Sequence, residues 1–228
     1  MDRGKSLSRL LRFIAPALLS ICLLPSSVQA AESVWLLKQD CATVGKTVIY
    51  LGAKATKIEF SNTGITVLLQ PSQNMVWVCN VKTKKMFKRP LSGWHPCLTN
   101  RMSFVFGQDL NQRKCQQVSR TELLGQKVTE WISLNARGRN QLLMTQNIDI
   151  APGLVRTIDE LTAGTAIAET MAQAKLSFFD GGRGQQLVLN TNEIRKTIVD
   201  PDCFTEPHYA IVKSETEVLA PPAVEDLF

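Results

Sequence analysis

From Lys46 onward the chain is a succession of short apolar runs in which polar residues take every second place. Lys46–Leu51 (KTVIYL) is β-branched and aromatic. Ala55–Ser61 (ATKIEFS) alternates strictly, with Ile58 and Phe60 on one face and Lys57 and Glu59 on the other. Asn62-Thr63-Gly64 supplies turn residues. Ile65–Gln70, Met75–Asn80 and a run beginning at Lys85 follow, separated by Pro71-Ser72-Gln73-Asn74 and a short basic turn. Period-two alternation broken by a turn every eight to twelve or so residues predicts an antiparallel meander.

Pro90–Lys114 is less regular and reads as a loop or small insertion, holding Trp94, His95, Pro96 and Cys97 and an apolar knot at Met102–Phe106. Strands are predicted again at Cys115–Leu124, Lys127–Leu134 and Gln141–Ile148. Over Leu154–Leu176 the period changes. Leu154, Ile158, Leu161, Ala168 and Ala172 recur at helical spacing, flanked by Ile167, Met171 and Ala174. Thr157 with Glu160 fits a capping box, and Gly164 weakens the middle of the segment. Asp180-Gly181-Gly182-Arg183-Gly184 reads as a hairpin turn. Two strands are predicted after it, Gln185–Asn190 and Ile194–Val199. Phe204–Lys213 and a final strand would complete one domain over 31–220, with 221–228 as a mobile tail.

The first thirty residues follow another logic. Arg3, Lys5, Arg9 and Arg12 precede an apolar stretch from Phe13 to Leu24, and Val28-Gln29-Ala30 offers small residues for cleavage. This is the pattern of a secretory signal peptide, with the mature chain starting at Ala31. The apolar stretch is too short to span a bilayer, and Ile21 before Cys22 is too bulky for a lipidation signal. The segment carries four of the 26 Lys+Arg and one of the 20 Asp+Glu, so its loss takes the net charge from +6 to +3. That balance excludes nucleic acid as a partner. The expected location is the periplasm or the exterior.

Five cysteines remain beyond the signal: Cys41, Cys79, Cys97, Cys115 and Cys203. An exported compartment permits disulfides. Cys97 with Cys115 would bracket the irregular stretch, and Cys41 with Cys203 would tie the ends of the mature chain; the sequence leaves both pairings open.

Enzyme chemistry finds little support. His95 and His208 are the only histidines and neither has metal-ligand spacing, so neither a metal nor a cofactor is expected. Asp200 and Asp202 read as a polar turn before Cys203. Gly181-Gly182-Arg183-Gly184 lacks the strand-before, helix-after context and the lysine of a phosphate loop. Lys82, Lys84, Lys85, Lys88 and Arg89 form a basic cluster at a hairpin, either a solvated tip or a contact for an anionic membrane surface or an acidic partner.

Large apolar side chains are more informative. Trp77, Phe87, Phe104, Phe106 and Trp131 fall on or near strands of one sheet. In a flat sheet they would be core. In a curved sheet closed by a helix they would line an apolar cavity, with Ile158, Leu161 and Met171 facing them from the helix.

The runs Thr47-Val48-Ile49-Tyr50, Lys57-Ile58-Glu59-Phe60, Gln70-Pro71 before Met75-Val76-Trp77, and Lys84-Lys85-Met86-Phe87 resemble the meander of LolA/LolB-like periplasmic lipoprotein carriers. Gly125-Gln126-Lys127-Val128 is similar to a Gly-x-Lys-Val step found in relatives, and Phe204-Thr205-Glu206-Pro207-His208-Tyr209 to their closing segment. The resemblance implies an α+β fold: a strongly curved antiparallel sheet, an incomplete β-barrel, with Leu154–Leu176 as a helical lid. It further implies a non-enzymatic carrier of a lipid or lipid-modified protein. The rival expectation is an envelope interaction module whose core is filled.

Overall fold

A computed structural model describes residues 31–42, 44–96, 115–135, 138–145, 148, 150, 154, 157–158, 161, 172–180 and 184–220. The alternating runs become strands: β1 (Glu32–Cys41), β2 (Gly45–Leu51), β3 (Thr56–Phe60), β4 (Ile65–Gln70), β5 (Met75–Asn80) and β6 (Lys85–Pro90). They continue with β7 (Cys115–Leu123), β8 (Gln126–Asn135), β9 (Gly138–Thr145), β10 (Ala172–Asp180), β11 (Gly184–Val199) and β12 (Ala210–Ile211). All twelve lie in one large curved sheet, in the order β12-β6-β5-β4-β3-β2-β1-β11-β10-β9-β8-β7. Neighbours are antiparallel except β12, which runs parallel to β6. The sheet is open rather than a closed barrel, and β7 and β12 are its edges.

The two halves of the meander are joined through β1 and β11. Glu32 pairs with Val199 and Cys41 with Leu189, so the first strand of the unit is stitched along most of the last long one. β11 is interrupted by two bulges: Asn192 is skipped against β1, and Val188 against β10. Each extra residue bends the strand and raises its twist, which lets sixteen residues serve both halves of a curved sheet.

Two apolar layers flank β1–β6. On the face called inner here, Leu37, Ile49, Ile58, Val67 and Val78 are buried in one cluster, together with Val128, Ile148, Leu154, Ile158, Leu161 and Val218. Each such aliphatic side chain contributes about 1.5–3 kcal/mol on full burial. The outer face of the same strands buries Val34, Ala55, Leu68, Trp77, Cys79 and Met86 beneath Phe204.

The C-terminal segment supplies that outer cover. After β11 a 3-10 turn, Pro201–Phe204, starts at Asp200, whose carboxylate accepts from the Asp202 N–H at 2.8 Å. The paired aspartates are thus a turn cap, as their spacing around Pro201 suggests. The Gln70 amide donates to the Phe204 carbonyl at 2.6 Å. Next, β12 adds to the edge of β6, and a helical turn, α1 (Glu215–Leu219), buries Val218 in the inner cluster. The segment therefore works as a strap around the β6 edge, from outer face to inner face.

Several expectations are corrected. Ala172–Leu176, assigned to a helix by its alanines, opens β10, which pairs with β9 and β11. Within Leu154–Leu176 the described residues Leu154, Thr157, Ile158 and Leu161 are helical and Ala172–Leu176 is strand, so a helix over the whole of Leu154–Leu176 does not stand. The two strands predicted after the hairpin are one continuous β11, because bulges rather than turns absorb Val188 and Asn192. A strand was not predicted at Glu32–Cys41, and the segment expected as a final strand is α1. The hairpin expected at Asp180–Gly184 is present, with those two residues paired across it.

Candidate functional site

The inner face is the candidate site, and strand register decides which side chains reach it. Paired residues point to the same side of a sheet. Phe87 opposes Val78, which opposes Val67, then Ile58, Ile49 and Leu37. This row crosses six strands, and Phe87 packs half-buried at its end. Ile158 and Leu161 lie in the same cluster, Leu161 with no exposed surface.

Trp77 is one residue out of step with that row. It opposes Leu68 and Lys88, which puts it on the outer face under Phe204. The expectation that it lines the inner cavity is overturned. β5 reads Met-Val-Trp-Val-Cys, apolar at both parities, because both its faces are covered. Trp131 packs half-buried against a third cluster, Cys41, Leu142, Met144, Val188 and Leu189. Val44 touches both this cluster and the main inner one. The Trp131 indole N–H is buried without a hydrogen-bond partner among the described residues. Phe104, Phe106 and Met171 lie outside the described residues.

Sequence reasoning missed Trp94 and α1 as part of this face. Trp94 is buried in the inner cluster and donates through its indole nitrogen to a Glu215 carboxylate oxygen at 3.1 Å. Asn80 donates to the Val218 carbonyl at 3.0 Å and accepts from the Lys82 and Thr83 N–H groups. One asparagine thereby sets the β5–β6 turn and holds α1 on the sheet. The signal available was Asn80 at the end of an apolar run.

Part of the basic cluster is engaged by the strap. Lys84 lies 4.9 Å from the centroid of the Tyr209 ring, and Lys88 pairs with Glu206 at 3.2 Å. Both strap partners are thus tied to β6 and its turn.

On the outer face Lys57 pairs with Glu59 at 2.9 Å and sits 5.8 Å from the Tyr50 ring centroid. Burial pulls the Lys57 ammonium down, yet the Glu59 hydrogen bond and charge outweigh it and its pKa ends above the usual lysine value. Burial pushes the Cys79 thiol up to about 12, with the Glu206 charge adding to it. Burial also raises Cys203. These are inert thiols rather than nucleophiles.

Cys41 and Cys203 are not bridged to each other, which overturns their pairing. Cys41 ends β1, whereas Cys203 follows Val199, the partner of Glu32 at the other end. Nine steps at about 3.3 Å each put roughly 30 Å between the two ends of β1. Cys97 lies outside the described residues and only the backbone of Cys115 is described. Among the described residues, no three His, Cys, Asp or Glu side chains gather as a metal site, and no helix is long and apolar enough to cross a membrane.

No family model matches the chain, and no curated protein matches it. Among solved structures it is similar to an uncharacterized conserved protein from Thermus thermophilus, at 10% identity and TM-score 0.44, over 78% of this chain and 89% of that one. PNGF-II is similar at 8% identity and TM-score 0.44, over 83% of this chain but 33% of its own. A LolA superfamily protein from Nitrosomonas europaea is similar at 10% identity and TM-score 0.27, over 78% and 91%. The LolA superfamily, which the sequence resembles, is represented among these structures, and each likeness has a TM-score under 0.5.

Proposed function

We propose that the chain is an exported, non-enzymatic carrier that holds an acyl chain or other amphipathic ligand against the inner face of the sheet. The observation that supports this reading is how that face is covered. Among the described residues, an apolar row six strands wide is capped by Leu154, Ile158 and Leu161 and by Val218 of α1, and the strands form one sheet. Side chains that lie outside the sheet can move without dismantling strand pairing. The indole N–H of Trp131, without a partner among the described residues, offers a donor beside the apolar surface for a ligand's carbonyl or headgroup.

Magnitudes limit how the cover moves. An acyl chain of about fourteen methylenes gains about 11 kcal/mol on burial, at about 0.8 kcal/mol each. Sending Leu154, Ile158 and Leu161 into water costs about 5–9 kcal/mol, and association costs about 4 kcal/mol or more. These terms nearly cancel, so uptake is strongly favourable only if the displaced side chains stay in apolar surroundings. In this reading the cover slides along the sheet rather than swinging away.

A second reading, an interaction module with a filled core, is favoured by the burial of Ile148, Leu154 and Leu161 to within 1% exposure. Titration with a fluorescent fatty-acid probe, comparing the wild-type chain with Leu161→Ala, separates the two. The carrier binds the probe, and the smaller residue lowers the displacement cost and tightens binding several-fold. A filled core binds neither way, and the variant only loses stability.

A further inference from the structure

The edge strand β7 carries a pattern that complements itself. Arg120, Thr121 and Glu122 are exposed, and so are Val118 (53%) and Leu124 (46%), two of the few large apolar residues left open on the described surface. Leu123 pairs with Gln126 across a two-residue turn in which Leu124 and Gly125 both have positive φ, 52° and 74°. In such a hairpin the closing pair exchanges its backbone hydrogen bonds, and bonding sides alternate from there. Ser119, Thr121 and Leu123 therefore turn their N–H and C=O groups toward β8. Arg120 and Glu122 turn theirs to the open edge.

We infer that β7 is the seat of a two-fold, edge-to-edge antiparallel pairing between two copies of this chain. Backbone bonding requires that outward-facing residues meet outward-facing residues. This leaves registers differing by two residues. Centring the two-fold on Thr121 sets Arg120 opposite Glu122 of the second copy, twice. It also sets Val118 opposite Leu124 at each end, covering both exposed apolar side chains. Sliding by two in one direction puts Arg120 against Arg120; sliding the other way puts Glu122 against Glu122. Like charges directly opposite destabilise a strand pair, so charge selects the Thr121-centred register. The bulge at Val118 ends the ladder. Charges on an edge strand commonly block pairing. Here their opposite signs, two residues apart, block both neighbouring registers, and the interface is isologous as a two-fold dimer requires.

Sedimentation equilibrium of the purified full chain and its charge variants tests this. The wild type sediments as a dimer. Arg120→Glu and Glu122→Arg each turn two attractive contacts repulsive and raise the dissociation constant at least about tenfold. An equimolar mixture of the two variants recovers dimer, because every contact between 120 and 122 is again of opposite charge. Under mild oxidation Thr121→Cys gives a 121–121 linked peptide by mass spectrometry, and Ser119→Cys gives no 119–119 link. A wild type that stays monomeric at its highest soluble concentration overturns the inference, as does a mixture no more associated than either variant alone. A 119–119 link in place of 121–121 overturns the register.

Discussion

Trp94 and Glu215 are 121 positions apart in sequence, yet the indole N–H of one meets the carboxylate of the other at 3.1 Å, and both side chains are at least 95% buried. This bond fixes α1 on the inner face just after β6 leaves the sheet. A hydrogen bond to a charged group contributes about 1.5–3 kcal/mol. Trp94→Phe should lower unfolding free energy by that order, read from the denaturant midpoint. Glu215→Gln, whose carboxamide oxygen still accepts from the indole, should lose less. Equal losses would show that the carboxylate's charge, not the indole donor, holds α1.

The strap is expected to be structural rather than a loose tail. Phe204 closes the outer cluster over Trp77, and Gln70 holds its carbonyl. Phe204→Ala should cost about 3–5 kcal/mol. It should also shift Trp77 emission to the red, resolved against a Trp77→Phe reference. An unchanged midpoint would mean that the strap contributes little to the sheet.

How far the sequence reached depended on whether local signals and tertiary context agreed. β4 and β5 have the predicted bounds, Ile65–Gln70 and Met75–Asn80, because Asn-Thr-Gly and Pro-Ser-Gln-Asn punctuate them. The start of β10 was misread. Ala172 and Ala174 favour a helix locally, and only pairing with β9 and β11 makes that stretch a strand. The site was half legible. Phe87, Ile158 and Leu161 fall in the inner cluster, whereas Trp77 does not, because a strand apolar on both faces carries no parity signal. The strap was invisible, since nothing local says that Phe204 covers a face built by residues 34–86.

Alkaline pH should weaken the fold through Cys79. Its thiol titrates near 12 in the folded chain, raised by burial and then by the Glu206 charge, against about 9 unfolded. Between those values the unfolded chain has lost a proton that the folded chain keeps, so stability falls as pH rises. The slope is about 1.4 kcal/mol per pH unit, fully absent below pH ~9. Cys203 and Tyr50, both raised mainly by burial, act in the same direction. Cys79→Ala should therefore leave a shallower alkaline decline, seen by denaturation at a series of pH values. An identical slope would move the effect to Tyr50 and Cys203.

Leu124 holds a left-handed backbone, φ 52°, at a turn where asparagine is the favoured neighbour of glycine. Leu124→Asn should relieve part of that cost and raise the melting temperature, by about 0.5–1 kcal/mol in free energy. The same change removes the apolar partner of Val118 across the inferred edge pairing. Stability and self-association should therefore move in opposite directions, checked by calorimetry beside sedimentation. A loss of stability would contradict the assignment of strain to this turn.

Native mass spectrometry of the chain, purified from the cell envelope without detergent exchange, tests the carrier account most directly. The account predicts a population heavier than the bare polypeptide by one acyl-bearing molecule, released as a lipid on collisional activation. Leu161→Ala should increase the loaded fraction. A spectrum holding only the bare polypeptide, from a folded protein offered envelope lipid extract, would contradict it and leave the inner face as a filled core.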